Sequence, residues 1–187
     1  LFGWSGSTGS AKFGVSTSTA SSDYIGDFVD WGTNQIGEDA PNTWRTLTYD
    51  EWNYLANSRP NASTKMGVAQ VDGSSGLILL PDNWVCPEGI TFKSGFAGGY
   101  GDLIYYKNYQ SFTAEQWGLL KAAGAIFLPV SGYRKGTVID KLYAGYYWLA
   151  TPYTGDSAYF FDIWSDEIRL QDTYRYIGFF VRLVQDL

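Results

Sequence analysis

The sequence predicts an α+β fold in which two helices pack on mixed, mainly antiparallel strands. Three observations predict it. Two segments carry helix-start signals followed by apolar residues at helical spacing. Short apolar or alternating segments recur between glycine-rich breaks at 72–76, 95–101 and 132–136. The second helix is followed by a run of strands rather than by strand–helix alternation, which favours antiparallel sheet.

Taken in order, residues 5–23 (SGSTGSAKFGVSTSTASSD) are small and polar and predict a surface loop or linker. In TLTYDEWNYLANSR, Thr48 is suited to N-cap a helix and Glu51 stands three residues on, completing a capping box. Trp52 and Leu55 then share one face. Residues 65–71 and 77–80 flank Asp72-Gly73-Ser74-Ser75-Gly76 and predict a hairpin. The stretch Phe96 to Asp102 reads as an irregular loop. It lacks the lysine and the following helix that a phosphate-binding loop needs. In SFTAEQWGLLKAAG, Thr113 and Gln116 repeat the capping box, Trp117 and Leu120 form the inward stripe, and Gly124 stops the helix. Strands are predicted over 125–130, 146–150, 158–164, 168–171 and 179–184, with 158–164 and 168–171 joined as a hairpin at Ser165-Asp166-Glu167. Trp31, Trp44, Trp84 and Trp148 are read as core.

Composition limits the function classes. The 187 residues suit one domain with a real core, and 1–187 is read as a single unit. A net charge of -6 argues against nucleic acid and against anionic lipid as partners. No apolar run is long enough to span a membrane. The chain opens on Leu1 rather than Met, which predicts the C-terminal part of a longer or processed chain. Cys86 stands alone without a basic neighbour and reads as structural or incidental rather than as a reactive thiol. With no histidine, Ser-His-Asp and Cys-His catalysis and the commonest zinc ligand are excluded. No metal site, cofactor or catalytic residue is assigned. Asp162, Asp166, Glu167 and Asp172 leave a carboxylate-based hydrolase open as an alternative.

The last 45 residues, 143–187, carry 13 of the chain's 34 aromatic residues, many beside Asp, Thr, Ser or Arg. Tyr and Trp supply large rigid contact area with a polar handle, which is the composition of a recognition surface. Along AYFFDIW, alternation puts Phe160, Asp162 and Trp164 on one face, and Phe161 and Ile163 on the other. The second set fits a core. The first mixes acid with aromatics and is expected to face outward and bind. Tyr174 and Tyr176 are expected to protrude around Arg175, which would anchor their loop by hydrogen bonds.

Seven segments in register carry a resemblance over essentially the whole chain: LFGWSG (1–6), WRTLTYDEW (44–52), ILLPDNW (78–84), FTAEQW (112–117), GAIFLPVSGYR (124–134), GYYWLAT (145–151) and GFFVRLV (178–184). Together they resemble a Bacteroidetes and Fibrobacter family of surface proteins with a C-type lectin fold, related to the formylglycine-generating enzyme fold. The resemblance implies a non-catalytic binding domain at a cell surface or phage tail tip. The catalytic cysteine pair of the formylglycine-generating enzymes has no counterpart, since Cys86 is alone and Phe179-Phe180-Val181 stands where a cysteine would be sought. The calcium-binding motifs of animal C-type lectins are missing too.

Some members of this group look like variable proteins of diversity-generating retroelements, in which a C-terminal stretch is diversified by mutation of template adenines, mostly in Asn codons. The resemblance implies that 143–187 is such a region. Its ligand-binding positions would be Tyr153, Thr154, Asp156, Phe160, Asp162, Trp164, Asp166, Arg169, Asp172, Thr173, Tyr174, Tyr176, Ile177, Phe179 and Phe180, with Gly155 also variable and the ligand a surface protein or glycan. All of these types except Trp are reachable from an Asn codon by changing adenines only, and no Asn occurs after Asn108. Trp164 and the nearby Glu167 need another template codon. The alternative is an undiversified envelope or pilus subunit, in which the aromatic surface would be buried against a neighbour.

Overall fold

A computed structural model describes residues 1–6 and 12–186 of the chain. Part of the predicted loop, 7–11, and Leu187 lie outside the described residues. The described part of 5–23 is not all surface: Ser5 is fully buried, and short 3-10 turns follow at Lys12–Gly14 and Ser21–Tyr24.

Both capping boxes form. Strand β1 (Arg45–Thr46) leads into α1 (Tyr49–Asn53), which continues as a π turn over Tyr54–Ser58. Thr48 accepts from the Glu51 amide, and Glu51 accepts from the Thr48 amide at 2.8 Å. Strands β2 (Met66–Val71) and β3 (Ser74–Leu79) make the predicted hairpin, with a shorter turn than the sequence suggested. Asp72 and Gly73 both take positive φ (45° and 81°), so these two residues alone reverse the chain, and Ser74, Ser75 and Gly76 join the strand.

A third helix, α2 (Ile104–Tyr109), was not anticipated; it precedes β4 (Ser111–Phe112) and α3 (Ala114–Ala122), the second capped helix. Then come β5 (Ile126–Pro129), the small hairpin β6 (Tyr133–Lys135) and β7 (Val138–Asp140), β8 (Gly145–Pro152), β9 (Ser157–Ile163) and β10 (Ile168–Tyr174). The single last strand expected over 179–184 is two: β11 (Phe180–Val181) pairs parallel with β8, and β12 (Leu183–Val184) pairs with β1.

The strands build two four-stranded sheets, β4-β2-β3-β5 and β10-β9-β8-β11, mixed but mainly antiparallel. Between them lies the main core, where Val68, Leu77 and Leu128 of the first sheet meet Tyr147, Leu149, Phe161 and Ile163 of the second. Trp52 of α1 stacks on Phe161 at 4.5 Å and 16°. The far face of the first sheet is covered by α3 through Leu120. The far face of the second sheet is covered in part by the N-terminal segment. Trp4 and Trp31 join Tyr146, Trp148, Phe160, Trp164 and Phe179 in a further aromatic cluster. The Trp4 indole donates to the Leu149 carbonyl at 2.9 Å, and the Trp148 indole donates to the Phe2 carbonyl at 2.7 Å. Each such large side chain contributes roughly 2–3 kcal/mol when fully buried. Trp31 and Trp148 are core as expected, whereas Trp44 and Trp84 are only half-buried. No described helix is long and apolar enough to cross a membrane.

Candidate functional site

The register of the second sheet decides which C-terminal side chains meet. Tyr146 of β8, Asp162 of β9 and Arg169 of β10 are directly opposite one another across the three strands, and Trp148, Phe160 and Gln171 form the next rung. Side chains on adjacent strands at paired positions share a face. These two rungs therefore line up on the face away from the main core.

On that face lies an open cleft of about 390 Å³. Phe160, Asp162, Trp164 and Phe179 form its floor, with Arg169, Gln171 and Thr173 along β10. The 174–177 turn contributes Tyr174, Tyr176 and Ile177 at one side, and the β6–β7 region contributes Tyr133, Lys135 and Lys141 at another. Its volume is in the range of small-ligand sites, and its lining mixes aromatic rings with a few polar groups.

The floor corrects one expectation. Phe160, Asp162 and Trp164 do share the face opposite Phe161 and Ile163, but they do not protrude: they are 6%, 2% and 3% exposed. The physical reason is that both faces of the sheet are covered. Phe160 packs on Phe179 at 4.8 Å, and Phe179 stacks on Tyr146 at 5.1 Å and 14°. Tyr100, from the 95–101 loop, stacks on Trp164 at 4.6 Å and 12°. That loop is held down because the Ala97 amide donates to the Ser165 carbonyl at 2.6 Å and Ser165 Oγ donates to the Gly99 carbonyl.

Asp162 is the polar centre of the floor. Its Oδ2 accepts from the Trp164 indole at 2.9 Å and from the Arg169 guanidinium at 2.8 Å. Arg169 also pairs with Glu167 at 3.2 Å. The guanidinium carbon lies 5.5 Å from the centre of the Trp164 ring, and Lys141 Nζ lies 5.6 Å from it. A buried carboxylate needs such partners, and here it fixes both an indole and a cation in place. Burial, and then the Asp162 carboxylate, hold the Tyr146 phenol protonated well above its usual range. Burial and Asp140 push Tyr133 in the same direction, and the Tyr133 hydroxyl donates to Asp140 at 3.3 Å.

Tyr174 protrudes as expected, whereas Tyr176 is half-buried. Their rings stack at 5.4 Å and 9°, and Tyr174 is 50% exposed. Arg175 between them turns inward and is buried. It donates to the Ser157, Tyr24 and Gly26 carbonyls and lies over the Trp4 ring at 4.3 Å. Burial lowers its pKa. It is the loop anchor that the sequence suggested.

Six of the candidate positions do not line the cleft. Tyr153 and Thr154 are exposed at the β8–β9 turn, and Asp156 is half-buried beside them. Tyr153 packs on Tyr159 at 5.0 Å. Asp172 pairs with Tyr159 and so sits on the opposite face from Asp162. Phe180 packs against the main core. Asp166 is in the β9–β10 turn, with Oδ1 buried and unpartnered. Of the four acids considered for hydrolysis, Asp162 and Glu167 share the Arg169 guanidinium, whereas Asp172 lies on the other face. Tyr133, Lys135, Lys141, Tyr146 and Gln171 line the cleft without having been anticipated. The alternation of Tyr133-Arg134-Lys135 and Val138-Ile139-Asp140 about Gly136 is the signal for the β6–β7 hairpin. Among the described residues, no group of three or more His, Cys, Asp or Glu is placed to hold a metal ion.

Comparison of the chain with protein families, with curated proteins and with solved structures found no match in any of the three.

Proposed function

We propose that this chain is a non-catalytic ligand-binding domain whose C-terminal region displays a binding cleft on a rigid, C-type-lectin-like frame. The observation that carries this reading is a convergence. Phe160, Asp162, Trp164, Arg169, Thr173, Tyr174, Tyr176, Ile177 and Phe179 were singled out from the sequence as recognition residues, and they line the same cleft. They come from β9, β10 and the turns that follow them, all within the segment whose resemblance is to the variable region of retroelement-diversified proteins.

The chemistry supports binding over turnover. The one carboxylate on the cleft floor is engaged by Trp164 and Arg169. Of the acids that could complete a hydrolytic pair, Glu167 is tied to the same Arg169 guanidinium as Asp162, and Asp172 faces the other way. In this reading Asp162 is a positioning group. It orients Trp164 and Arg169, while the ligand meets Arg169, Gln171, Thr173, Tyr174 and Tyr176. The two stacked tyrosines are the contact residues best placed to act as hot spots, each worth on the order of 1–3 kcal/mol on truncation. The frame holds because its own contacts are elsewhere: Arg175 on Trp4, Phe161 on Trp52, and Trp148 on the Phe2 carbonyl. The setting would be a cell surface or a phage tail tip, with a surface protein or glycan as ligand.

The test uses the immobilised full chain on arrays of surface glycans and surface proteins, beside a Thr173→Ala/Tyr174→Ala/Tyr176→Ala variant. These positions lie on the rim, so the variant should keep the wild-type unfolding midpoint to within about 2 °C. Loss of at least tenfold in affinity for the selected ligand is expected. Equal binding by both proteins would overturn the reading. Strong self-association of the isolated chain that masks the cleft would favour an envelope or pilus subunit instead.

A further inference from the structure

The charged groups around the cleft are not equally engaged. Asp162 is occupied by Trp164 and Arg169, and Glu167 by Arg169. Asp140 accepts from the Tyr133 hydroxyl and from the Lys141 amide. Arg169 is shared between two carboxylates. Lys135 and Lys141 are different: among the described residues neither ammonium has a carboxylate within ion-pair distance, although both line the cleft. The Lys141 ammonium sits 5.6 Å from the centre of the Trp164 ring, at the edge of the cleft. The rim thus offers two ammonium groups outside any described carboxylate ion pair, while Asp140, Asp162 and Glu167 already have donors. That occurs on a chain whose net charge is -6 and which repels anions in general.

We infer that the cleft takes an acidic saccharide, a sugar ring bearing a carboxylate, with Lys135 and Lys141 meeting the carboxylate. The inference rests on the binding reading above and names its ligand class. Shape favours a ring. Phe160, Trp164 and Phe179 are recessed at the floor, so a flat protein surface cannot reach them, whereas a projecting terminal residue of a glycan can. The lining suits the amphipathic character of a sugar. Tyr174 and Tyr176 offer ring surface, and Gln171 and Thr173 offer donors and acceptors for hydroxyl groups.

The experiment is an array in which each uronic-acid- or sialic-acid-terminated oligosaccharide stands beside its carboxyl-reduced counterpart, with glutamate-rich peptides as a third arm. The wild-type chain is expected to bind at least one acidic saccharide tenfold or more tightly than its reduced counterpart. Lys135→Gln/Lys141→Gln should bring that ratio to within twofold of one, and 0.5 M salt should shrink it. Equal binding of acid and reduced forms, or an acid preference that survives the lysine changes, overturns the inference. Lysine-dependent capture of the peptides alone assigns the cleft to an acidic peptide and overturns the saccharide. No binding to any saccharide, with a protein ligand still lost in the Thr173/Tyr174/Tyr176 variant, overturns this inference and leaves the binding reading standing. Blank results in both experiments overturn both.

Discussion

Removing the Asp162 side chain should destabilise the chain by about 1.5–4 kcal/mol, and the structure allows the figure to be built from its parts. Asp162 is 2% exposed and accepts from two groups. In Asp162→Ala the Trp164 indole N–H is left without its acceptor in a covered position, which costs about 1–3 kcal/mol. The Arg169 side chain is 36% exposed and retains Glu167 at 3.2 Å. Water and that second carboxylate cushion its loss, so its share is only about 0.5–1 kcal/mol. Asp162→Asn keeps the shape and one acceptor and should cost about 1 kcal/mol. In a double-mutant cycle with Arg169→Met, the coupling should be about 1 kcal/mol, because the two groups touch directly. The assay is urea unfolding followed by tryptophan fluorescence, with the slope checked so that a change in midpoint reports stability. A loss below about 0.5 kcal/mol for Asp162→Ala, together with zero coupling, would refute the assignment of Asp162 as the organiser of the cleft floor.

Three further outcomes follow from other contacts. Arg175→Ala should cost about 3 kcal/mol or more, since it strands three backbone carbonyls and removes the guanidinium from over Trp4; thermal unfolding checks it. Gly67→Ala should cost about 1–3 kcal/mol, because a Cβ there would lie 2.3 Å from the Lys93 carbonyl oxygen, and the same denaturation assay reads it. Glu51 gives a pH dependence. Its bond to Arg45 holds its pKa at about 2, below its ordinary 4.5, so the folded state favours the charged form. The stabilisation is present above pH 4.5 and is lost as pH falls from 4.5 towards 2. The side chain is 34% exposed, so solvent screening reduces the effect to about 1 kcal/mol. Glu51→Gln should therefore melt below wild type at pH 6 and converge on it near pH 2.5; an unchanged gap would contradict the assignment.

How much was legible depended on how local each signal was. Both capping boxes were readable because Thr48 with Glu51, and Thr113 with Gln116, satisfy helix-start amides within four residues. The β9–β10 hairpin and its alternation were readable for the same reason, and Phe161 and Ile163 fall in the core as expected. Helix α2 was missed: it has six residues, and its N-cap, Leu103, makes no side-chain cap bond. The burial of Phe160 and Trp164 was missed because alternation separates two faces but does not say what covers each. Phe179 covers Phe160 and Tyr100 covers Trp164, from 19 and 64 residues away in sequence. Lys135 and Lys141 were missed likewise, since only the tertiary placement of the β6–β7 hairpin brings them to the cleft. The division of 179–184 into two strands reflects two partners, β8 and β1, which no local pattern encodes.

The central claim is that the cleft is the diversified, ligand-binding surface of the chain. The most direct test is to sequence the DNA around the codons for Tyr143 to Leu187 and downstream of them, looking for a near-copy beside a reverse transcriptase gene. The expected result is such a copy, rich in Asn codons, with mismatches confined to template adenines and concentrated at cleft positions such as Arg169, Thr173, Tyr174 and Tyr176, while Arg175 and Trp148 match. Absence of a copy, or mismatches that fall on Arg175 and Trp148 as often as on the cleft, would contradict it.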